Sequence, residues 1–225
     1  MKKKSKTKDS LSFVDDPVYR LWAWILLAWS IYRYSFKFAE WIDELIFKPL
    51  VFVVPVLWYL RVKERRSFTT IGLTPKNLFT NIYIGLGFGF VFALEGLAAN
   101  AIKYGKLTII PIAAFEQYGL LLLLFLSLVT AVTEEILSRG FLFSRILERT
   151  KSLPVASIVS TLLFVALHVP ILVTSLKLQG TALLLFFATD IVLGVANSLL
   201  FYSTGSLVAP ILVHLFWNMT VALYL

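Results

Sequence analysis

Residues 115–151 read FEQYGLLLLLFLSLVTAVTEEILSRGFLFSRILERTK, and this stretch decides the fold. Its apolar run is longer than the roughly 20 residues a helix needs to cross the hydrocarbon core of a bilayer. Within the same run stand Glu134, Glu135 and Arg139. An ionisable side chain in a spanning helix costs a few kcal/mol or more, so such groups face a bundle interior and mark function. One segment therefore announces both a membrane helix and a candidate site.

Six further segments join it, giving Tyr19–Phe36, Leu45–Leu60, Leu78–Ile102, Phe115–Leu147, Pro154–His168, Thr181–Tyr202 and Leu207–Leu225. The fold class is all-α: a polytopic transmembrane bundle of about seven spanning helices. Arg33 and Lys37 give the first segment an interfacial character, and Lys48, Pro49 and Pro55 shorten and kink the second. A short extra helix at Ile171–Leu178 would change the count. The chain divides into a polar tail (1–16), N-terminal membrane helices (17–114) and a helical core that holds the ionisable groups (115–225).

Composition agrees. The 225 residues are 59% hydrophobic and only 15% charged, with a mean hydropathy of +0.83, far from the near-half apolar, quarter-charged profile of soluble domains. The formal charge of +8 sits at segment ends and not along an aromatic-studded stripe, which excludes nucleic acid and points to membrane topology. Basic clusters at Lys2–Lys8, Arg61–Arg66 and Arg145–Lys151 place those three regions in the cytoplasm, with the N-terminus inside and the C-terminus outside a plasma membrane. Cysteine is absent, which removes thiolate chemistry and cysteine metal sites. Trp22–Trp29 and Trp58-Tyr59 read as an interfacial aromatic belt, Lys48 as a snorkelling side chain, and Glu95 and Asp190 as polar contacts between helices.

The chain has two histidines, His168 and His214, both inside apolar segments. Glu135 and Arg139 are four apart with the acid first, so they satisfy each other on one helix face. Glu134 is rotated about 100° away and is free to face a cavity. His214 and Asn218 share a face by the same spacing. Glu134 lies 17 residues before the turn at Lys151 and His168 lies 17 after it, so a helical hairpin brings both to one level, about 26 Å along each helix. His214 is nine residues past Gly205, about 13 Å into its own helix. All three meet if the fourth helix overhangs the membrane.

These motifs resemble those of the CPBP family, the CAAX-processing endopeptidases, bacteriocin-processing enzymes and their relatives. EExxxR stands at Glu134–Arg139, FxxxH at Phe164–His168 and HxxxN at His214–Asn218, with Gly205-Ser206-Leu207 and Pro210 before the last motif and Ile71-Gly72-Leu73 as a looser likeness. The likeness covers Leu120 to the C-terminus and leaves out the first 75 residues. It implies an intramembrane endopeptidase in which Glu134 and His168 activate water, His214 and Asn218 stabilise the oxyanion, and Glu135 with Arg139 supports the site. The implied substrate is a membrane-associated protein or peptide. A non-proteolytic bacteriocin-immunity or scaffold role within the family is the alternative.

The residue chemistry stands without the likeness. A buried carboxylate suits water activation, and His and Asn suit the developing oxyanion. No cofactor is expected; the alternative is zinc held by Glu134, His168 and His214, but with no His-Glu-x-x-His helix, no cysteine and no spare histidine each ligand would also have to serve as base or oxyanion donor. A serine nucleophile at Ser138 is disfavoured because no aspartate is placed to orient a histidine, Asp190 being the only loose candidate. A proton-coupled transporter would also use intramembrane Glu, His and Arg, but inverted repeats are not visible.

Overall fold

The computed structural model describes residues 16–107 and 113–224. The described residues form seven long helices and no strand: α1 Pro17–Ser35, α2 Glu40–Lys63, α3 Leu78–Tyr104, α4 Gly119–Thr150 and α5 Leu153–Leu176, α6 Gly180–Thr204 and α7 Val208–Tyr224, with a short 3-10 turn at Phe68–Ile71 and a short helical piece from Ala113 to the kink at Gly119. Five of them, α2 to α6, are long and apolar enough to cross a membrane, and α7 is a shorter apolar helix. The expected segments all fall on these helices, except that part of the loop before α4 and the last residue lie outside the described residues.

Local chemistry sets the ends. Asp16 caps α1, its Oδ1 accepting from the Val18 amide at 2.8 Å, and Pro17 occupies the first turn, where no amide partner is missed. Lys151, at φ 54, closes α4, and Ser152 leads directly into α5. Gly205, at φ 64, ends α6 in the left-handed conformation glycine adopts without strain.

Four stretches widen into π-type turns: Asp43–Phe47 and Tyr59–Lys63 in α2, Ile136–Phe143 in α4 and Leu172–Leu176 in α5. The last of these corrects the idea of a separate helix at Ile171–Leu178, because α5 simply continues through it. The second segment is also longer than Pro49 and Pro55 suggested, since the wide turns extend α2 at both ends.

The helices alternate in direction. Arg149 at the end of α4 pairs with Asp16, the Trp22 indole donates to the Leu163 carbonyl at 3.2 Å, and Arg33 reaches Ser175 at 2.8 Å. Thus α1 runs beside α5 over its whole height, although its composition is less apolar. At one end of the bundle, Arg145 is bound to Glu64, and Arg66 to Glu148. There the Leu207 amide also donates to the Gly72 carbonyl at 3.1 Å, tying the start of α7 to the turn before α3.

α3 and α7 lie parallel and close. A Cβ added at Gly89 would fall 2.4 Å from the Phe216 ring, and one at Gly96 would fall 1.8 Å from Thr220 Cγ2. The glycines therefore set the depth at which α7, and with it His214, enters the bundle. The core joins Ile25, Trp29, Phe52, Leu137, Phe141 and Leu163 from α1, α2, α4 and α5. Trp29 is thus a core residue and not part of an interfacial belt, while Trp24 and Trp58 are exposed. Glu95 is exposed on α3 and makes no contact of the kind expected between helices.

Candidate active site

The two adjacent glutamates lie at the end of the regular part of α4, just before its wide turn. Helical rotation sends them to different neighbours. Glu135 is fully buried, and its Oε1 collects three donors: Arg139 Nη1 at 3.0 Å, Asn197 Nδ2 at 2.9 Å and His214 Nδ1 at 2.8 Å. Asn197 also donates to the Pro210 carbonyl at 3.2 Å, so one amide links α4, α6 and α7. The pairing of Glu135 with Arg139 that spacing implies is present, but as part of a four-residue hub.

Glu134 points to the other side. Its Oε2 lies 3.5 Å from His214 Nε2 and 3.8 Å from His168 Nε2. Its Oε1 is not free, which corrects the sequence expectation: Lys48 Nζ on α2 sits 3.1 Å away. Nor does Lys48 snorkel. It is 7% exposed and grips both oxygens of Glu44, at 2.7 and 2.6 Å, while Thr130 on α4 donates to Glu44 as well.

His168 has a directed tautomer. Its Nδ1 lies 3.2 Å from the Phe164 carbonyl, an acceptor, so Nδ1 carries the hydrogen and the Nε2 lone pair is left facing Glu134. Asp190 Oδ2 is 3.4 Å from the same Nδ1 but off the hydrogen-bond line. Asp190 is therefore a polar neighbour between α6 and α5, as expected of it, and stands next to a histidine. A serine triad still lacks its nucleophile, because the buried Ser138 hydroxyl has no hydrogen-bond partner. Phe164 packs its ring against Arg139, 4.7 Å from the guanidinium carbon, and edge-on to both imidazoles.

Asn218 stands one turn beyond His214, and its Nδ2 donates to the Ser127 carbonyl at 3.3 Å, two turns from Glu134. The structure thus brings Glu134, His168 and His214 together around one carboxylate oxygen and leaves Asn218 at the rim. Among the described residues, no three His, Cys, Asp or Glu side chains are arranged to hold a metal ion. The Lys48 ammonium on Glu134 adds a fixed cation where a dication would have to bind.

Residues 116–220 match the family model described as Type II CAAX prenyl endopeptidase Rce1-like. This segment of the chain is similar to that family. The Rce1-like segment begins just before α4 and reaches the last turns of α7, so it holds Glu134, Glu135, Arg139, Phe164, His168, Asp190, Asn197, His214 and Asn218, but neither Lys48 nor Glu44. No curated protein and no solved structure matches the chain. With its apolar helices, the chain is an integral membrane protein, and its residues 116–220 are similar to a protease family.

Sequence reasoning passed over Glu44 and Asn197 and misread Lys48. Lys48 and Glu44 carried a signal, an i, i+4 acid–base pair inside an apolar segment, like the Glu135–Arg139 pair. Asn197 carried only its polarity in an apolar helix.

Proposed function

We propose that this protein is an intramembrane endopeptidase that hydrolyses a peptide bond of a membrane-associated protein or peptide, in CAAX-type or related processing, with water activated between Glu134 and His168. One observation carries the reading: a buried carboxylate oxygen, Glu134 Oε2, with the Nε2 atoms of two imidazoles within 4 Å. A water about 2.8 Å from both Glu134 Oε2 and His168 Nε2 completes a triangle across their 3.8 Å gap. The water oxygen attacks the carbonyl carbon while its proton passes to Glu134 or His168. As the tetrahedral intermediate collapses, that proton goes to the leaving nitrogen and the C–N bond breaks, giving a carboxylate and an amine.

His214 faces the developing negative charge. Its Nδ1 is held by Glu135 Oε1 at 2.8 Å and its Nε2 is aimed at the Glu134 side of the site, where a hydrogen on Nε2 serves the oxyanion. Asn218 has a second amide hydrogen to offer, the first being held by Ser127. Glu135, Arg139 and Asn197 hold His214 in place. The protein resides in the plasma membrane with its N-terminus in the cytoplasm, as its basic clusters favour.

The test incubates purified wild type and Glu134→Gln with prenylated and unprenylated CAAX peptides and with a peptide library from membrane proteins, and sequences the products. Wild type should cleave. Glu134→Gln should remain folded and lose at least about 100-fold in rate, the low end for general-base removal. A wild type that cleaves nothing would instead support an immunity or scaffold role. Extensive chelation should leave cleavage intact, and recovery only on zinc addition, with stoichiometric metal by elemental analysis, would overturn the metal-free reading.

A further inference from the structure

Lys48 lies well outside residues 116–220, yet it touches the carboxylate on which the proposed reaction depends. Burying an ammonium is costly unless it is paired. Glu44, one turn earlier on the same helix, already supplies both its oxygens. Such a pair could satisfy itself at the bundle surface, but here it is pressed against α4, where Thr130 holds Glu44 and Lys48 reaches Glu134. The wide turn Asp43–Phe47 contains Glu44 and ends just before Lys48.

The contact distinguishes the two oxygens of Glu134. Lys48 takes Oε1, and Oε2 is left toward His168 and His214. A carboxylate without such an anchor turns about its terminal torsion, which is broad and roughly two-fold. We infer that Lys48, held by Glu44, is a positioning residue of the hydrolytic site: it fixes the rotation of the Glu134 carboxylate, so that helix α2 is part of the site. This inference rests on the hydrolase reading for its kinetic consequence, but its structural content is independent of turnover.

The test removes both charges together, in Glu44→Gln/Lys48→Met, so that neither is stranded by loss of the other and methionine keeps most of the length. Lys48→Arg is the conservative comparison. The double variant should elute and melt like wild type and keep KM within about threefold, while kcat falls on the order of 100-fold, the effect of a reacting group displaced by about 1 Å. Lys48→Arg should recover most of that loss, because a guanidinium retains the charge and the donors. A double variant with wild-type kcat overturns the inference.

A second readout needs no substrate. The chain has two histidines, so a side-chain spectrum of 15N-histidine-labelled protein contains two imidazoles. Lys48 makes no hydrogen bond to either, so reorientation of Glu134 between them should shift both in the double variant and change their couplings to it, and Lys48→Arg, which keeps the charge, should leave them near their wild-type positions. Unmoved imidazole signals in a folded double variant overturn the inference even if wild type cleaves nothing, whereas cleavage by wild type with unmoved signals sinks it and leaves the hydrolase reading standing.

Discussion

At the scale of single residues, the site is organised by which atom each carboxylate spends on which partner. Glu135 concentrates three donors on Oε1 and leaves Oε2 and Arg139 Nη2 without hydrogen bonds. Arg139 is therefore a support whose loss strands charge. Arg139→Ala should destabilise the fold by about 3–5 kcal/mol, the cost of breaking a buried pair, read as a lower melting temperature and yield along with lost activity. Normal thermal stability with full loss of turnover would place Arg139 in the reaction instead. Asn197→Ala should cost less, about 1–3 kcal/mol for one buried acceptor losing a donor, because Arg139 and His214 remain; an effect as large as that of Arg139→Ala would mean that the amide and not the guanidinium organises the hub. Glu135 and Arg139 were legible from spacing alone, since i, i+4 geometry fixes their meeting. Asn197 was not, because its partners lie on other helices and no local spacing names them. Lys48 was misread for a physical reason: a lysine between apolar neighbours looks like a stem reaching for the interface unless the opposing carboxylate 86 residues away is known.

At the scale of elements, boundaries were largely legible and local shape was not. Pro17, Lys151-Ser152 and Gly205 mark helix ends that periodicity and turn residues imply, and the hairpin between α4 and α5 brings Glu134 and His168 to one level, as counting from the turn requires. The wide turns carry no proline or glycine signature of their own: Ile136–Phe143 contains Gly140, but Asp43–Phe47 contains neither residue. They arise where side chains must be re-aimed toward partners on other helices, which is tertiary information. The glycines of α3 were visible in the sequence, but the helix they face was not. Gly89→Leu should push α3 from α7, where Phe216 already fills the gap, and overpacking of this kind costs about 1–3 kcal/mol. Because α7 carries His214, kcat should fall with the melting temperature. Gly87→Leu, at a position open to the surface, should change neither. Equal effects at the two positions would show that helix propensity, and not the α3–α7 approach, governs the outcome.

At the scale of the whole molecule, seven alternating helices place Arg61–Arg66 and Arg145–Lys151 at one end of the bundle and the ends of α3, α5 and α7 at the other. Two independent facts bear on orientation. The ion pairs Arg66–Glu148 and Arg145–Glu64 require the two basic loops to share a side of the membrane, whichever side that is. In the topology we propose, the excess of Lys and Arg there makes that side the cytoplasmic one. α7 leaves from the same end, tied through Leu207 to Gly72, so its C-terminal end lies on the far side. α1 is the element on which the count depends, since its composition does not set it among the five strongest spans, yet Asp16 sits at the level of Arg149 and Arg33 at that of Ser175. Its 19 residues extend about 28 Å, close to a hydrocarbon core. Reporter domains fused after Arg66 and after Lys151 should therefore both read cytoplasmic, and one fused after Leu225 should read external. A split result for the first two would contradict the ion pairs and with them the bundle itself. Agreement of all three on one side would remove one crossing, and a labelling scan through α1 would then show whether that helix lies along the interface instead of spanning it.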